Sequence, residues 1–314
     1  MIRYLFSIVV VLNIFSSAHS QNTKKSAKII IIDAGHGGSD VGARGTETNE
    51  ATITLAVAQK LAKALRQQLG GFNILETRPY FELPGGLTNA NAANRYRAEF
   101  ANKNNGDLFI SLHCNAAGRR PGGWYAKKVV GREARTRYVK KGRKKVKQTY
   151  YVNQYEEVWV ENAAKGTETY IWAVGKNNQK VTSMHQTNQE EEDDYYNEEN
   201  EGSGEDSLLL PDPNDPAERA RMLIYAQHYF RKSYALANLV EQEFVASGRS
   251  SRGVQQRNHK GIWVLQATGM PSILVEMGFI SNTEDQAYLM SEQGQNTIVE
   301  NIVKAVKDYL EKYS

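Results

Sequence analysis

Three short apolar runs, each ending beside a residue able to bind a metal or move a proton, constrain this chain more than anything else in it. Lys28-Ile-Ile-Ile-Ile-Asp-Ala-Gly35 leads into His36, Asp107-Leu-Phe-Ile-Ser-Leu112 into His113, and Ser272-Ile-Leu-Val275 into Glu276. Runs this short and this rich in β-branched residues read as buried parallel strands. Strands are expected near 28–33, 73–77, 108–112, 168–174 and 273–276, and helices near 50–69, 88–104, 216–246 and 292–312. The alternation predicts the α/β class: a single domain with a mostly parallel central sheet flanked by helices, carrying two insertions. Ligands bind such sheets in the crevice at the carboxyl ends of the strands. His36, His113 and Glu276 are expected to meet there.

A fourth residue belongs with them. Glu50 follows Thr46-Glu-Thr-Asn49, good N-cap chemistry, and opens a helical run through Ile53, Val57, Leu61, Leu65 and Leu69. A carboxylate in a first turn is favoured by the macrodipole and faces the same end of the sheet. Taken singly, a His after a strand is more often a hydrogen-bonded structural residue than a ligand, and a Glu at a strand end is usually a solvated rim residue. The loop Asp33-Ala-Gly-His-Gly-Gly-Ser-Asp-Val-Gly-Ala-Arg-Gly45 adds five glycines around and after His36, which lets backbone approach a ligand closely. Two imidazoles and two carboxylates together would make a metal-hydrolase site. A catalytic zinc takes three protein ligands and keeps a fourth position for water, which leaves one residue to move protons.

Asp33-Ala-Gly-His-Gly37, Glu50, Ser111-Leu-His-Cys-Asn-Ala116 and Val275-Glu-Met-Gly-Phe-Ile-Ser-Asn282 resemble, in order and spacing, the four signature blocks of the zinc-dependent N-acetylmuramoyl-L-alanine amidases of the amidase-3 family. Arg97-Ala-Glu-Phe-Ala-Asn102, and Arg252-Gly-Val-Gln-Gln256 through Gly261-Ile-Trp-Val-Leu265, resemble two supporting stretches. The resemblance covers roughly 28–118, 165–175 and 230–312. It implies that His36, Glu50 and His113 bind Zn2+ and that Glu276 is the catalytic carboxylate. It also implies the substrate: peptidoglycan, cut between the lactyl group of N-acetylmuramic acid and the L-alanine of the stem peptide, in wall remodelling or daughter-cell separation. Cys114 and Gly106 depart from the alanines frequent in the family. Two other classes stay open, a carboxypeptidase acting on the stem peptide and a non-catalytic wall- or partner-binding protein.

Residues 1–20 read as a signal peptide: Met1-Ile-Arg3 is a positive start, Tyr4 to Phe15 an apolar core, and Ser16-Ser-Ala-His-Ser20 a small-residue cleavage region. The expectation is an exported protein, periplasmic or extracellular, with no membrane span after cleavage and the amidase domain over 28–314. The single cysteine, Cys114, excludes an intramolecular disulfide. It reads either as a small buried residue or as a thiol able to disturb a metal.

The insertions have opposite charge. The first, at about 119–163, holds thirteen Lys/Arg against Glu133 alone between Arg119 and Lys147. Arg135–Val139 and Val146–Val152 predict a basic β-hairpin turning at 140–145. Such a hairpin is either a solvated edge that discourages strand pairing or a contact for an acidic partner, whether wall polymer or the chain's own acidic stretch; export disfavours nucleic acid. The second insertion, at about 177–231, carries ten acids between Glu190 and Asp206 with no Lys or Arg. Asp215, Pro216 and Glu218 then mark a helix start. Some members of the resembled family carry a helical element here that covers the cleft until a partner displaces it. The expectation is a regulatory insertion relieved by an activator protein, the alternative a surface loop. Arg78, Arg95, Arg97 and Asn115 are candidates for holding substrate, with ordinary structural roles favoured for the three arginines.

Overall fold

The computed structural model describes residues 28–117, 120–172, 216–257 and 262–313. Residues 1–27, and with them the signal peptide, lie outside this description, as do 173–215 with the acidic run and Asp215.

Six strands form the central sheet: β1 (Lys28–Ala34), β2 (Phe72–Glu76), β3 (Leu108–Asn115), β6 (Thr167–Ile171), β7 (Ser251–Gln256) and β8 (Ser272–Phe279), in the spatial order β2-β1-β3-β8-β6-β7. β1, β2, β3 and β8 are mutually parallel; β6 runs antiparallel to β8, and β7 follows β6. The helices are α1 (Glu50–Gln68), α2 (Ala90–Lys103), α3 (Pro216–Ala246), α4 (Trp263–Ala267), α5 (Thr283–Met290) and α6 (Glu292–Tyr313). The expected α/β class and mostly parallel sheet are what the structure has.

Period-two alternation divides β1 between two cores. Ile30 and Ile32 face Val57 and Leu61 of α1, Val240 and Phe244 of α3, and Ile302 and Val306 of α6. Ile31 faces the other side, with Phe109, Leu274, Ala101 of α2, Leu265 of α4 and Trp172. Both faces of the sheet are therefore covered, which is why its central strands β1, β3 and β8 are largely apolar rather than alternating. Each fully buried side chain of this size stabilises the fold by about 1.5–3 kcal/mol.

Asn49 caps α1, its side chain accepting from the Thr52 amide, and so fixes where Glu50 enters the helix. Asn282 does the same for α5 through the Glu284 and Asp285 amides.

The basic hairpin is much longer than its two expected segments. β4 (Gly123–Lys141) and β5 (Lys144–Glu161) pair antiparallel along their whole length and form a sheet of their own. The strand expected over 168–174 ends at Ile171 within the described residues. No helix among the described residues is long and apolar enough to cross a membrane.

Candidate metal centre

The three candidate ligands stand at adjacent element ends: His36 just after β1, Glu50 at the first turn of α1, and His113 near the end of β3. Their ligand atoms lie within 4.8 Å of one another. Glu50 Oε1 lies 2.8 Å from His113 Nδ1 and accepts from the Cys114 amide at 2.9 Å. Glu50 Oε2 lies 3.2 Å from His36 Nε2 and accepts from the Ala43 amide at 2.8 Å. The two imidazoles meet edge to face, centroids 5.0 Å apart.

Two buried arginines hold the loop that presents His36. Arg97 donates to the Ala34 and His36 carbonyls at 2.7 and 2.6 Å and pairs with Asp33. Arg78 donates to the Ala34, Gly35 and Ala51 carbonyls at 2.8–2.9 Å. Asp33 also accepts from Thr77 (2.5 Å) and Ser111 (2.6 Å). Burial alone would raise its pKa, but the Arg97 charge and the two hydroxyls outweigh it and hold the carboxyl below its ordinary value. Arg78 and Arg97 are thus scaffold; Arg95 is exposed on α2. The loop is tight enough that a Cβ on Gly42 (φ +65°) would lie 2.6 Å from Glu50 Oε2 and the His36 ring, and one on Gly35 2.5 Å from the His113 ring.

Charge within the cluster is balanced locally. Burial pulls the His36 imidazole down, yet Glu50, by hydrogen bond and by charge, together with Asp40 brings it up to about 9. Burial pushes Glu50 up, and the two histidines return it to well below the carboxylate range. Cys114 is buried; burial and the Glu50 charge push its thiol well up, which matches the small buried residue expected rather than a reactive thiol.

Glu276 lies on β8, in register with His113 on one side and Glu168 of β6 on the other. It is 7% exposed, and its Oε2 is buried without a hydrogen-bond partner among the described residues. Burial first, then the charges of Glu50 and Glu168, push it up to about 8.

Sequence reasoning missed two further residues. Asp40 Oδ2 lies 2.9 Å from His36 Nδ1, which leaves Nε2 facing Glu50. The His-x-x-x-Asp spacing inside the glycine-rich loop was the only signal for it. Glu168 accepts from Asn115, from Tyr170 (2.8 Å) and from Arg252 (2.9 Å). Asn115 therefore links strands, and nothing in the local sequence marked Glu168.

Nitrogen, oxygen and nitrogen donors this close, with an unpartnered buried carboxylate oxygen on the neighbouring strand, fit a divalent cation of the zinc type. The cluster stands at the carboxyl edge of the parallel strands, where α/β sheets bind their ligands. The sequence matches the N-acetylmuramoyl-L-alanine amidase family over residues 30–308, and the chain belongs to that family. It is 25% identical over 292 residues to an uncharacterized cell wall amidase of Bacillus anthracis, covering 93% of this chain and 37% of that relative. The chain thus spans little more than a third of that relative's length. Among solved structures, an N-acetylmuramoyl-L-alanine amidase from Clostridium difficile 630 has the same fold, with a TM-score of 0.54, 20% identity, and coverage of 92% of this chain and 100% of that one. So does the CwlD amidase from Clostridioides difficile in complex with the GerS lipoprotein, with a TM-score of 0.52, 21% identity, and coverage of 90% and 98%.

Proposed function

We propose that this protein is an exported, zinc-dependent N-acetylmuramoyl-L-alanine amidase that cleaves the amide between N-acetylmuramic acid and L-alanine of peptidoglycan stem peptides. The observation that carries this reading is the convergence of His36, Glu50 and His113 within 4.8 Å beside the unpartnered carboxylate oxygen of Glu276, in a chain of this family.

When bound, zinc supplies Lewis acidity toward the scissile carbonyl and the attacking water. His36 offers Nε2, because Asp40 occupies Nδ1; His113 and Glu50 complete the donor set. Glu276 takes the proton from the attacking water and returns it to the leaving amine, which departs poorly unless protonated. Its buried setting suits that work, since a proton carrier is most effective with a pKa near the working pH. The water oxygen bonds to the lactyl carbonyl carbon and the C–N bond breaks, leaving a lactyl carboxylate and the L-alanine amine.

The amidase domain spans 28–314 and follows a signal peptide over 1–20, with the insertions at about 119–163 and 177–231. The second insertion is read as a gate over the cleft, relieved by an activator protein. The GerS complex of the CwlD amidase is consistent with a partner-bound member of this fold, and the helix start at Pro216 falls where the insertion's helix was expected.

The test is mass spectrometry of muropeptides after digestion of purified peptidoglycan by wild type and Glu276→Ala, each with and without zinc. Release of intact stem peptides that depends on zinc, is lost in Glu276→Ala and rises on deletion of 186–212 is the expected result. Shortened peptides would indicate a carboxypeptidase instead. Release unchanged by deletion of 186–212 would remove the gate.

A further inference from the structure

The β4–β5 ribbon has one face that neither the fold nor the proposed chemistry uses. Isolated two-stranded ribbons are marginal in water, so one of this length is expected to have something to pack on. Its strand register sorts the side chains. One face carries Tyr125 opposite Trp159, Lys127 opposite Glu157, Val129 opposite Tyr155, Arg132 opposite Asn153, Ala134 opposite Tyr151, Tyr138 opposite Lys147, and Lys140 opposite Lys145. The shift between Val129 and Gly131 keeps this face continuous across the β4 bulge.

All five of its rings are 51–70% exposed. Trp159, Tyr155 and Tyr151 recur every fourth residue of β5, about 13–14 Å apart at ~3.4 Å per residue. Lys127 lies between the first two rings and Arg132 between the next two; Thr136 opposite Thr149 separates Tyr151 from the Tyr138–Lys147 pair, and the Lys140–Lys145 pair lies beyond. Toward the tip beyond Glu157 this face has no acid, and none of these five bases forms an ion pair among the described residues. The opposite face is different. There Arg135 bonds Glu133, Arg137 bonds Gln148, and Arg137 lies over the Tyr150 ring.

At the ribbon's root the Tyr125 and Trp159 rings meet edge to face at 5.2 Å. They line a cleft of about 490 Å³ with Gly45, Thr46, Arg120 and Pro121. Gly45 and Thr46 belong to the loop that runs from His36 to Glu50, so the root of the ring-bearing face abuts the loop that joins two of the candidate ligands.

Rings at a constant four-residue step with unpaired bases among them suit a linear polymer whose units each offer an apolar face and an anion. Tyr and Trp supply large, stiff contact area with a polar tip, and Lys and Arg take carboxylates. We propose that this face binds a glycan strand whose sugars carry free carboxylates, the strand left once stem peptides are removed. The inference rests on the amidase reading, since that cleavage is what exposes a lactyl carboxylate on each muramic sugar.

The experiment measures binding of the full chain to peptide-free glycan strands, to strands that keep their peptides, and to vesicles of anionic lipid. The variant Tyr138→Thr/Tyr151→Thr/Tyr155→Thr keeps strand-forming residues while removing rings. It is expected to weaken binding to peptide-free strands at least tenfold, as is Lys140→Gln/Lys145→Gln/Lys147→Gln. Glu133→Gln/Arg135→Gln/Arg137→Gln, on the opposite face, should stay within twofold of wild type. Circular dichroism reports whether each ribbon still forms; if the triple ring variant loses it, Tyr151→Thr alone should weaken binding threefold or more. Equal binding by ring variants and wild type, absence of binding to peptide-free strands, or tighter binding to vesicles would each overturn the proposal. Digestion of intact peptidoglycan is run beside it. Digestion with ring-independent binding sinks the ribbon alone, whereas ring-dependent binding without digestion by either the full chain or its 186–212 deletion sinks only the amidase reading.

Discussion

Asp40 has its greatest effect through another residue. By occupying His36 Nδ1 at 2.9 Å it fixes which nitrogen of the ring faces Glu50. Outer partners of this kind typically contribute 10–100-fold to metal affinity. Asp40→Asn is therefore expected to weaken zinc binding by about that factor, read by titration against a competing chelator; unchanged affinity would show that the ring is oriented by packing alone. Arg97 acts one layer further in. Its pairing with fully buried Asp33 means that Arg97→Met leaves a buried carboxylate without its charge partner, held by the Thr77 and Ser111 hydroxyls alone, a change that costs about 3–5 kcal/mol in such pairs. Because the native pKa of Asp33 is depressed, its contribution is fully present above the unfolded value near 4 and is lost as pH falls through the native one. Urea melts should show the gap between wild type and Arg97→Met narrowing as pH falls toward the depressed native value of Asp33. A gap constant down to pH 2 would mean that Asp33 is not the partner that matters. At this scale the sequence was informative where chemistry sits in a motif, as with His36, Glu50, His113 and Glu276. It was silent on Glu168, whose neighbours Asn115 and Arg252 come from strands far away in the chain.

The elements carry the site through the loop between β1 and α1. Gly42 sits at φ +65°, and any side chain there would press on both Glu50 and His36. Gly42→Ala is expected to lower zinc occupancy by at least tenfold while leaving the far-ultraviolet spectrum unchanged, as measured by metal analysis of the folded protein. Full occupancy would show that the loop can shift to admit the methyl group. The main strands and helices were legible because each is a sustained apolar pattern buried on both faces of the sheet. Other elements were not. β7, Ser251-Arg-Gly-Val-Gln-Gln256, lies at the sheet edge with little apolar content, and α4 has only five residues. The ribbon was visible only near its tip, since the bulge between Val129 and Gly131 reverses the in-out alternation and breaks the period-two pattern along β4.

At the scale of the whole molecule, the ribbon is an appendage to a core that closes without it. Among the described residues, the strands β4 and β5 find their pairing partners only in each other. At their root the core is tied by its own bonds: the Gly122 amide to Ser281, the Asn162 amide to Gly122, and Asn282 to the Asn162 carbonyl at 2.7–3.2 Å. Asn282 also caps α5, so the root is anchored to the segment that follows Glu276. Segments whose backbone bonds lie within themselves can be removed at low cost, whatever their length. Replacing 124–160 by a two-residue glycine turn should therefore keep the midpoint of thermal unfolding within about 4 °C, equivalent to ~1–2 kcal/mol for a chain of this size. Zinc stoichiometry should also be unchanged, because none of His36, Glu50 and His113 lies in the excised segment. A fall of 10 °C or more would mean that the ribbon braces the core, and its exposed rings would then need an account within the fold rather than outside it.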